Sequence, residues 1–485
     1  MTFDLFTIGV LLAAAVVYQF LPVNWRGWSL MIGSIVVVYW LQPALPLRNA
    51  DFILPTVTVV LAVGGWYLTR KPDDEAQQAT LPQDRVTFAV ITALLVGMAF
   101  FRYIDTDFRL TPAPPNPLWV AVGLGIVYVP VLALRRPIYA RQWGTLAAAM
   151  IFIIALFVVL KANPLVMGVS SVGRALTGQD RTLAGAIDLN WLGFSYVAFR
   201  LIHTLRDRQT EQLPALSLQQ YMTYIVFFPA FIAGPIDRAE RFQQDMVALP
   251  AVKRFDGERF LRAFERISMG LFKKFVIADL LAVGLSLNPT NAALLENTFW
   301  AWVLLYGYAL RLFFDFAGYT DIAIGIGILF GVQLPENFKA PYLKRDITTF
   351  WQSWHITLSN WARFYVFSPL SRNLLRRKPR PNPMLIVLAT QTATMVTIGL
   401  WHGITWNFLI WGLWHGVALF VHKQYTDRTR KWYRSLKEKP WQYRAVEGVA
   451  WFITFHYVVL GWVWFAMPDL VQALNVYAAL FGFAR

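Results

Sequence analysis

The sequence predicts an all-α, polytopic membrane fold, on three observations. Hydrophobic residues make up 57% of its 485 positions, mean hydropathy is +0.45, and apolar runs of bilayer-spanning length recur between charged or proline-rich punctuation. A soluble domain carries only about 45–50% apolar residues. The first charged residue after Asp4 is Arg26, so the opening run lacks the basic stretch of a cleaved secretory signal and reads as a retained first helix.

In chain order, six early spans are expected at residues 3–21, 27–45, 52–69, 86–101, 117–134 and 143–160. The loops 70–85 and 135–141 are separated by two spans and so share a face, and their arginines make that face cytoplasmic. The second half is less regular. Further spans, interrupted by ionisable residues, are expected at 190–203, 218–236, 268–287 and 298–332. Residues 255–274 place Phe260, Phe264, Ile267 and Leu271 at helical spacing, as in a helix lying along the interface, although an ordinary helix end fits equally well. Residues 345–372 are aromatic yet studded with polar side chains, which suits a re-entrant or surface segment. After the basic cluster Arg376, Arg377, Lys378 and Arg380, residues 384–400 cross outward, and 404–421 return to the basic stretch 423–444. A last span at 446–466 brings the total to roughly 11 to 14 membrane segments by the span-length rule. The whole chain, 1–485, reads as one integral membrane domain, with N-terminal helices over 1–161 and a core over 190–466.

The formal net charge of +16 reads as positive-inside topology, not as nucleic-acid binding. The absence of cysteine excludes disulfides, thiolate metal sites and an acyl-cysteine intermediate on this chain. No nucleotide-binding, zinc-protease or serine-hydrolase motif occurs, so no metal and no tightly bound cofactor is expected. Chemistry must then come from the few polar groups within or beside the bilayer.

Of six histidines, His402 stands out, bracketed by Trp401 and Gly403 at a helix-to-helix turn outside the basic face. Imidazole suits a proton shuttle near neutral pH. Taken alone, a histidine at such a turn is structural more often than catalytic. His355 lies four residues before Ser359, but no carboxylate nearby is placed to orient its ring, and helical serine commonly bonds its own backbone. His415 reads as a hydrogen-bonded core histidine, with a place on the same cavity as His402 as the alternative; His203, His422 and His456 read as structural. Asp315 and Asp321 interrupt an apolar run, either orienting a histidine or pairing with arginines such as Arg311 or Arg345, and Gly327 and Gly331 read as close helix packing.

Several segments together resemble the membrane-bound O-acyltransferase family, in its bacterial branch associated with alginate O-acetylation and teichoic-acid D-alanylation. They are Leu192-Gly-Phe-Ser-Tyr-Val-Ala-Phe199, Phe228-Pro-Ala-Phe-Ile-Ala-Gly-Pro235-Ile-Asp-Arg238, residues 313–324, Pro335-Glu-Asn-Phe338 with Pro341-Tyr342, residues 350–361, and Leu400-Trp-His402-Gly403 with Trp411-Gly412. Their order and spacing carry the resemblance from Leu192 onward. Trp361-Ala-Arg-Phe-Tyr365 lacks the Arg-Asp pair of alginate-type members, and Ser368-Pro-Leu-Ser371 replaces their glycine-rich continuation.

The resemblance implies a helical fold with a through-membrane tunnel, with the family's invariant histidine at His402 and its second motif histidine at His355. It implies transfer of an acyl group, acetyl in the first reading, from a cytosolic thioester (acetyl-CoA or an acyl-carrier thioester) to a hydroxyl of an extracytoplasmic polysaccharide. His402 would act as base, and Asn360, Asn407, Asp315 and Trp401 would contact substrate, with Asn407 offered as an oxyanion donor. The implied partners are membrane lipids, an extracytoplasmic acyltransferase, an acyl carrier protein and the polysaccharide acceptor, in a bacterial inner (cytoplasmic) membrane. D-alanyl transfer to teichoic acid and a transporter without bond chemistry are the rival readings.

Overall fold

The computed structural model of the chain describes residues 4–71, 74–104, 110–111, 114–133 and 142–483. Helix accounts for 79% of the structure, and no strand occurs among the described residues. Six described helices are long and apolar enough to cross a membrane: Ala50–Thr69, Leu81–Tyr103, Gln142–Lys161, Thr298–Leu329, Pro383–His402 and Pro440–Ala466. Leu5–Phe20, Pro117–Pro130 and Leu470–Leu480 are shorter apolar helices. The multi-pass, all-helical fold expected from the sequence is therefore the fold observed. The chain divides into two compact units, Met1–Phe264 with Ala323–Leu334, and Glu265–Ile322 with Pro335–Arg485.

In the first unit, helices Leu5–Phe20, Val23–Leu41, Ala50–Thr69, Leu81–Ala99, Pro117–Ala133 and Gln142–Lys161 follow the six early apolar runs. The basic loop 135–141, and residues 72–73 of the loop 70–85, lie outside the described residues. The span expected over 218–236 is corrected: its helix stops at Val226, and a single tight turn, Phe228–Ala230, follows. Pro229 is the reason, since it has no N–H for the carbonyl of Ile225 four residues earlier. The buried guanidinium of Arg200 takes over, donating to the Ile225 carbonyl at 2.9 Å and to the Ala230 carbonyl at 2.7 Å. The reading of Gly327 and Gly331 as a helix-packing pair is also corrected. Gly331 has φ +82° and ends the helix, while Gly327 accepts from Val332 N at 2.9 Å in the same turn.

The expected interfacial helix 255–274 and the span 268–287 merge into one helical run: Gly257–Leu271, a π-helical stretch Phe272–Ala278, and Asp279–Gly284. Its buried positions are Arg259, Ala263, Ile267, Gly270, Lys274 and Ala278, so of the expected apolar stripe only Ile267 is buried; Phe264 is 67% exposed. Within the second unit, Gly270 and Gly318 let this run approach the Thr298–Leu329 helix closely, a Cβ on Gly270 falling 2.7 Å from the Gly318 carbonyl. That approach sets Lys274 on Asp315 at 2.6 Å, and Lys273 and Arg266 on Asp321 at 2.6 and 2.8 Å. The carboxylates are thus paired, as one of the two sequence readings held, but by lysines and Arg266. Arg345 pairs with Glu447 instead.

The tightest packing in the second unit joins Pro383–His402 to Trp406–Ser435. A Cβ on Gly412 would sit 2.6 Å from Val396 Cα, one on Gly416 2.7 Å from Thr392 Cα, and one on Gly399 would run into the Phe408 carbonyl. Each collision is with backbone, which a side-chain rotation cannot relieve. Overpacking of this kind costs about 1–3 kcal/mol or more. Gly416→Leu is accordingly expected to lower the melting temperature of the detergent-solubilised protein by several degrees. Gly448→Leu, where a Cβ meets nothing within 4 Å, is expected to leave it within about a degree.

Candidate active site

His402 is the last residue of the Pro383–His402 helix. Gly403 then leaves the helix in extended backbone (φ −179°), and a Cβ there would lie 2.8 Å from the Phe408 ring. The glycine therefore makes room for Phe408, which packs back on His402. Around the His402 ring stand Trp401 (4.5 Å between centroids), Phe465 (4.7 Å), Phe408 (5.8 Å) and Trp411 (5.8 Å). The short connection 403–405, closed by the Thr405 cap on Phe408 N, fixes this aromatic wall.

His355 has φ +42° and stands at the cap of the helix Ile356–Ala362, outside the helix itself. Ser359 donates its hydroxyl to the Trp354 carbonyl at 3.2 Å, so a Ser–His pair does not form. What orients His355 is Asn337, fully buried in the Pro335-Glu-Asn-Phe338 segment. Its Oδ1 accepts from Thr357 N at 3.2 Å and from Thr357 Oγ1 at 2.6 Å, and lies 3.2 Å from His355 Nδ1. An amide oxygen only accepts, so the imidazole proton belongs on Nδ1 and the lone pair on Nε2. That Nε2 is buried and has no hydrogen-bond partner among the described residues. Phe316 packs edge-on against the ring at 4.7 Å.

His355 and His402 line the same cavity, walled by Phe316, Trp351, Trp354, Trp411 and Phe465 among others, with a volume of about 40 Å³. That admits a water molecule but falls far below the roughly 300 Å³ of a small-molecule site. Trp401 faces both histidines, its ring 6.2 Å from His355. Asn360, on the helix Ile356–Ala362, Asn407 and Asp315 are not among the walls. Asn407 is buried and gives its amide hydrogens to the Met467 and Asp469 carbonyls at 2.7 and 3.1 Å, which leaves no N–H for an oxyanion. Asp315 is held by Lys274.

His415 lies behind this wall, fully buried, with its ring 4.9 Å from Trp411 and 5.1 Å from Trp351. Neither of its nitrogens has a hydrogen-bond partner among the described residues, and Gly461 makes room for it, a Cβ there falling 3.1 Å from Nε2. The other histidines are bonded: His203 accepts from Ala239 N, His422 meets Thr348, and His456 meets Tyr306. Sequence reasoning missed Asn337. The signal in the sequence was its place in the Pro335-Glu-Asn-Phe338 motif.

No metal-binding group of three or more histidines or carboxylates occurs among the described residues. The sequence model of the membrane-bound O-acyltransferase family matches residues 138–466. The chain is 35% identical over 294 residues to a peptidoglycan O-acetyltransferase of Helicobacter pylori, covering 57% of this chain and 51% of that protein. It is 31% identical to a teichoic acid D-alanyltransferase of Streptococcus thermophilus, covering 57% and 68%. With a probable alginate O-acetylase of Azotobacter vinelandii it shares 32% identity over 404 residues, 81% and 72% of the two chains. It thus spans about half the length of the first of these relatives. The match begins well before Leu192, where the sequence motifs start. With a family match over more than half its length and the motif histidines brought to one cavity, the chain belongs to the membrane-bound O-acyltransferase family.

Proposed function

We propose that this protein transfers an acyl group, acetyl in the leading case, from a cytosolic thioester to a hydroxyl of an extracytoplasmic polysaccharide or of a partner protein. The observation that carries this reading is the meeting of His402 and His355 on one small, aromatic-walled cavity. His402 removes the proton as the acceptor oxygen attacks the thioester carbonyl. The tetrahedral intermediate then collapses with loss of the C–S bond, and His402 returns the proton to the leaving thiolate. His355 contributes through its Nε2 lone pair, which accepts a hydrogen bond from a second, neighbouring hydroxyl of the acceptor and so holds it, leaving the single proton of the attacking hydroxyl to His402. Trp401 does not line the cavity, but its ring packs against both histidines and steadies them. Because the cavity holds little more than water, acyl access requires the surrounding aromatic side chains to move.

The donor is acetyl-CoA or an acyl-carrier thioester, received at basic cytoplasmic loops. The acceptor is reached with an extracytoplasmic acyltransferase partner, in the bacterial inner membrane. The similarity to a teichoic acid D-alanyltransferase supports a second reading, D-alanyl transfer from a carrier protein to teichoic acid.

The test is transfer of labelled acetyl from acetyl-CoA by the protein in liposomes, supplemented with cell extract. Wild type is expected to consume donor, and His402→Ala to lower the rate by about 10²–10⁴-fold at unchanged folding. If wild type never consumes acetyl-CoA but does consume D-alanyl carrier protein, the second reading replaces the first. Asn337→Ala is expected to cut the rate about 10–100-fold by freeing the His355 ring. Asn337→Asp, which keeps an acceptor for Nδ1–H, is expected to restore most of it.

A further inference from the structure

A cavity of about 560 Å³ lies in the first unit, far larger than the histidine cavity. It is lined by the helices Ala50–Thr69, Leu81–Ala99, Pro117–Ala133, Gln142–Lys161 and Phe194–Gln209 and is open on one side. Its walls are overwhelmingly apolar, among them Val60, Phe88, Phe152 and Leu205. Gly64 leaves a gap in one wall, since a Cβ there would meet nothing within 4 Å. The Gln142–Lys161 helix is hardly buried by protein, only 11% of its apolar window, so this flank of the cavity belongs to a helix that faces hydrocarbon.

One end of the cavity is different. Ala50–Thr69 finishes, and Leu81–Ala99 begins, at the same end of two antiparallel helices, and there the walls carry Arg70, Asp84 and Arg85. Asp84 is 2% exposed, and its two oxygens accept from Leu218 N at 2.7 Å and Thr80 Oγ1 at 2.8 Å, so its charge is directed into the protein. Arg70 lies over Trp66 and donates to the Gln77 carbonyl at 3.1 Å. Arg85 is exposed and takes part in no ion pair among the described residues. Two guanidiniums against one internally satisfied carboxylate leave this end cationic, and guanidinium matches phosphate geometry. The volume falls within the roughly 300–1,000 Å³ of ligand sites.

We propose that this cavity binds an anionic glycerophospholipid of the surrounding bilayer, one acyl chain filling the apolar interior and the phosphate held at Arg70 and Arg85. Basic residues at a helix end are where an anionic headgroup is drawn, and the chain in the cavity replaces an interior that would otherwise stay empty. The site is separate from the histidine cavity and does not depend on the acyl-transfer reading.

The experiment is native mass spectrometry of the full-length protein in detergent, delipidated and titrated with phosphatidylglycerol or phosphatidylcholine, with melting temperature read in parallel. Wild type is expected to retain one phosphatidylglycerol with at least tenfold preference over phosphatidylcholine, and to melt several degrees higher when it is bound. Arg70→Gln/Arg85→Gln is expected to lose the preference while still binding either lipid weakly. Gly64→Phe, which fills the gap, is expected to lose both, and Gly64→Leu to weaken both if the larger ring prevents folding. Equal retention of the two lipids by wild type, or undiminished phosphatidylglycerol binding in the arginine double variant, would overturn the proposal. So would unchanged binding in both Gly64 variants, which would put the lipid elsewhere.

Discussion

The close approach of the Pro383–His402 and Trp406–Ser435 helices is the contact on which the second unit's chemistry depends. Gly399, Gly412 and Gly416 bring two backbones to a separation that no side chain would permit. Helices in a bilayer gain little from apolar burial against one another, since lipid is as apolar as leucine, so packing at small residues carries the association. The consequence is local and chemical. His402, at the end of one helix, is pressed among Phe408 and Trp411 of the other, and Gly403 is small enough for Phe408 to close the corner.

A second regularity concerns polar groups where water is scarce. Most are answered. Arg200 serves the carbonyls freed by Pro229, Lys273 and Lys274 neutralise Asp321 and Asp315, and Asn407 ties down the turn at 467–469. An unanswered buried polar group costs about 1–3 kcal/mol. The Nε2 of His355 and both nitrogens of His415 are among the buried polar atoms that have no hydrogen-bond partner among the described residues, and both residues lie in or directly behind the walls of the His402 cavity.

Much of the fold could be read from the sequence, because an apolar run of spanning length is a strong signal that bilayer thickness enforces. The six early runs, the 298–332 run and the pair flanking His402 all reappear as helices. Where the reading failed, short-range chemistry was decisive: Pro229 cut a helix that hydropathy alone continued, and Gly331 served as a cap. Phe264 shows a further limit, since apolar spacing cannot tell a side chain that packs on protein from one that meets lipid. His402 and His355 were found through motif resemblance, and the structure brings them to one cavity. Asn337 and the lysine partners of Asp315 and Asp321 were not legible, because their roles arise from contacts between residues far apart in the chain.

The central claim is that His402 acts as the base within this cavity, and the pH dependence of acyl transfer by the reconstituted protein tests it most directly. A protonated imidazole cannot accept a proton, so the wild-type rate is predicted to fall on acidification with the slope of a single group. His402→Gln should leave only a slow reaction without that acidic limb, while His415→Gln should keep the limb. A His402→Gln protein with a substantial rate and the same acidic limb would place the base elsewhere and contradict the account.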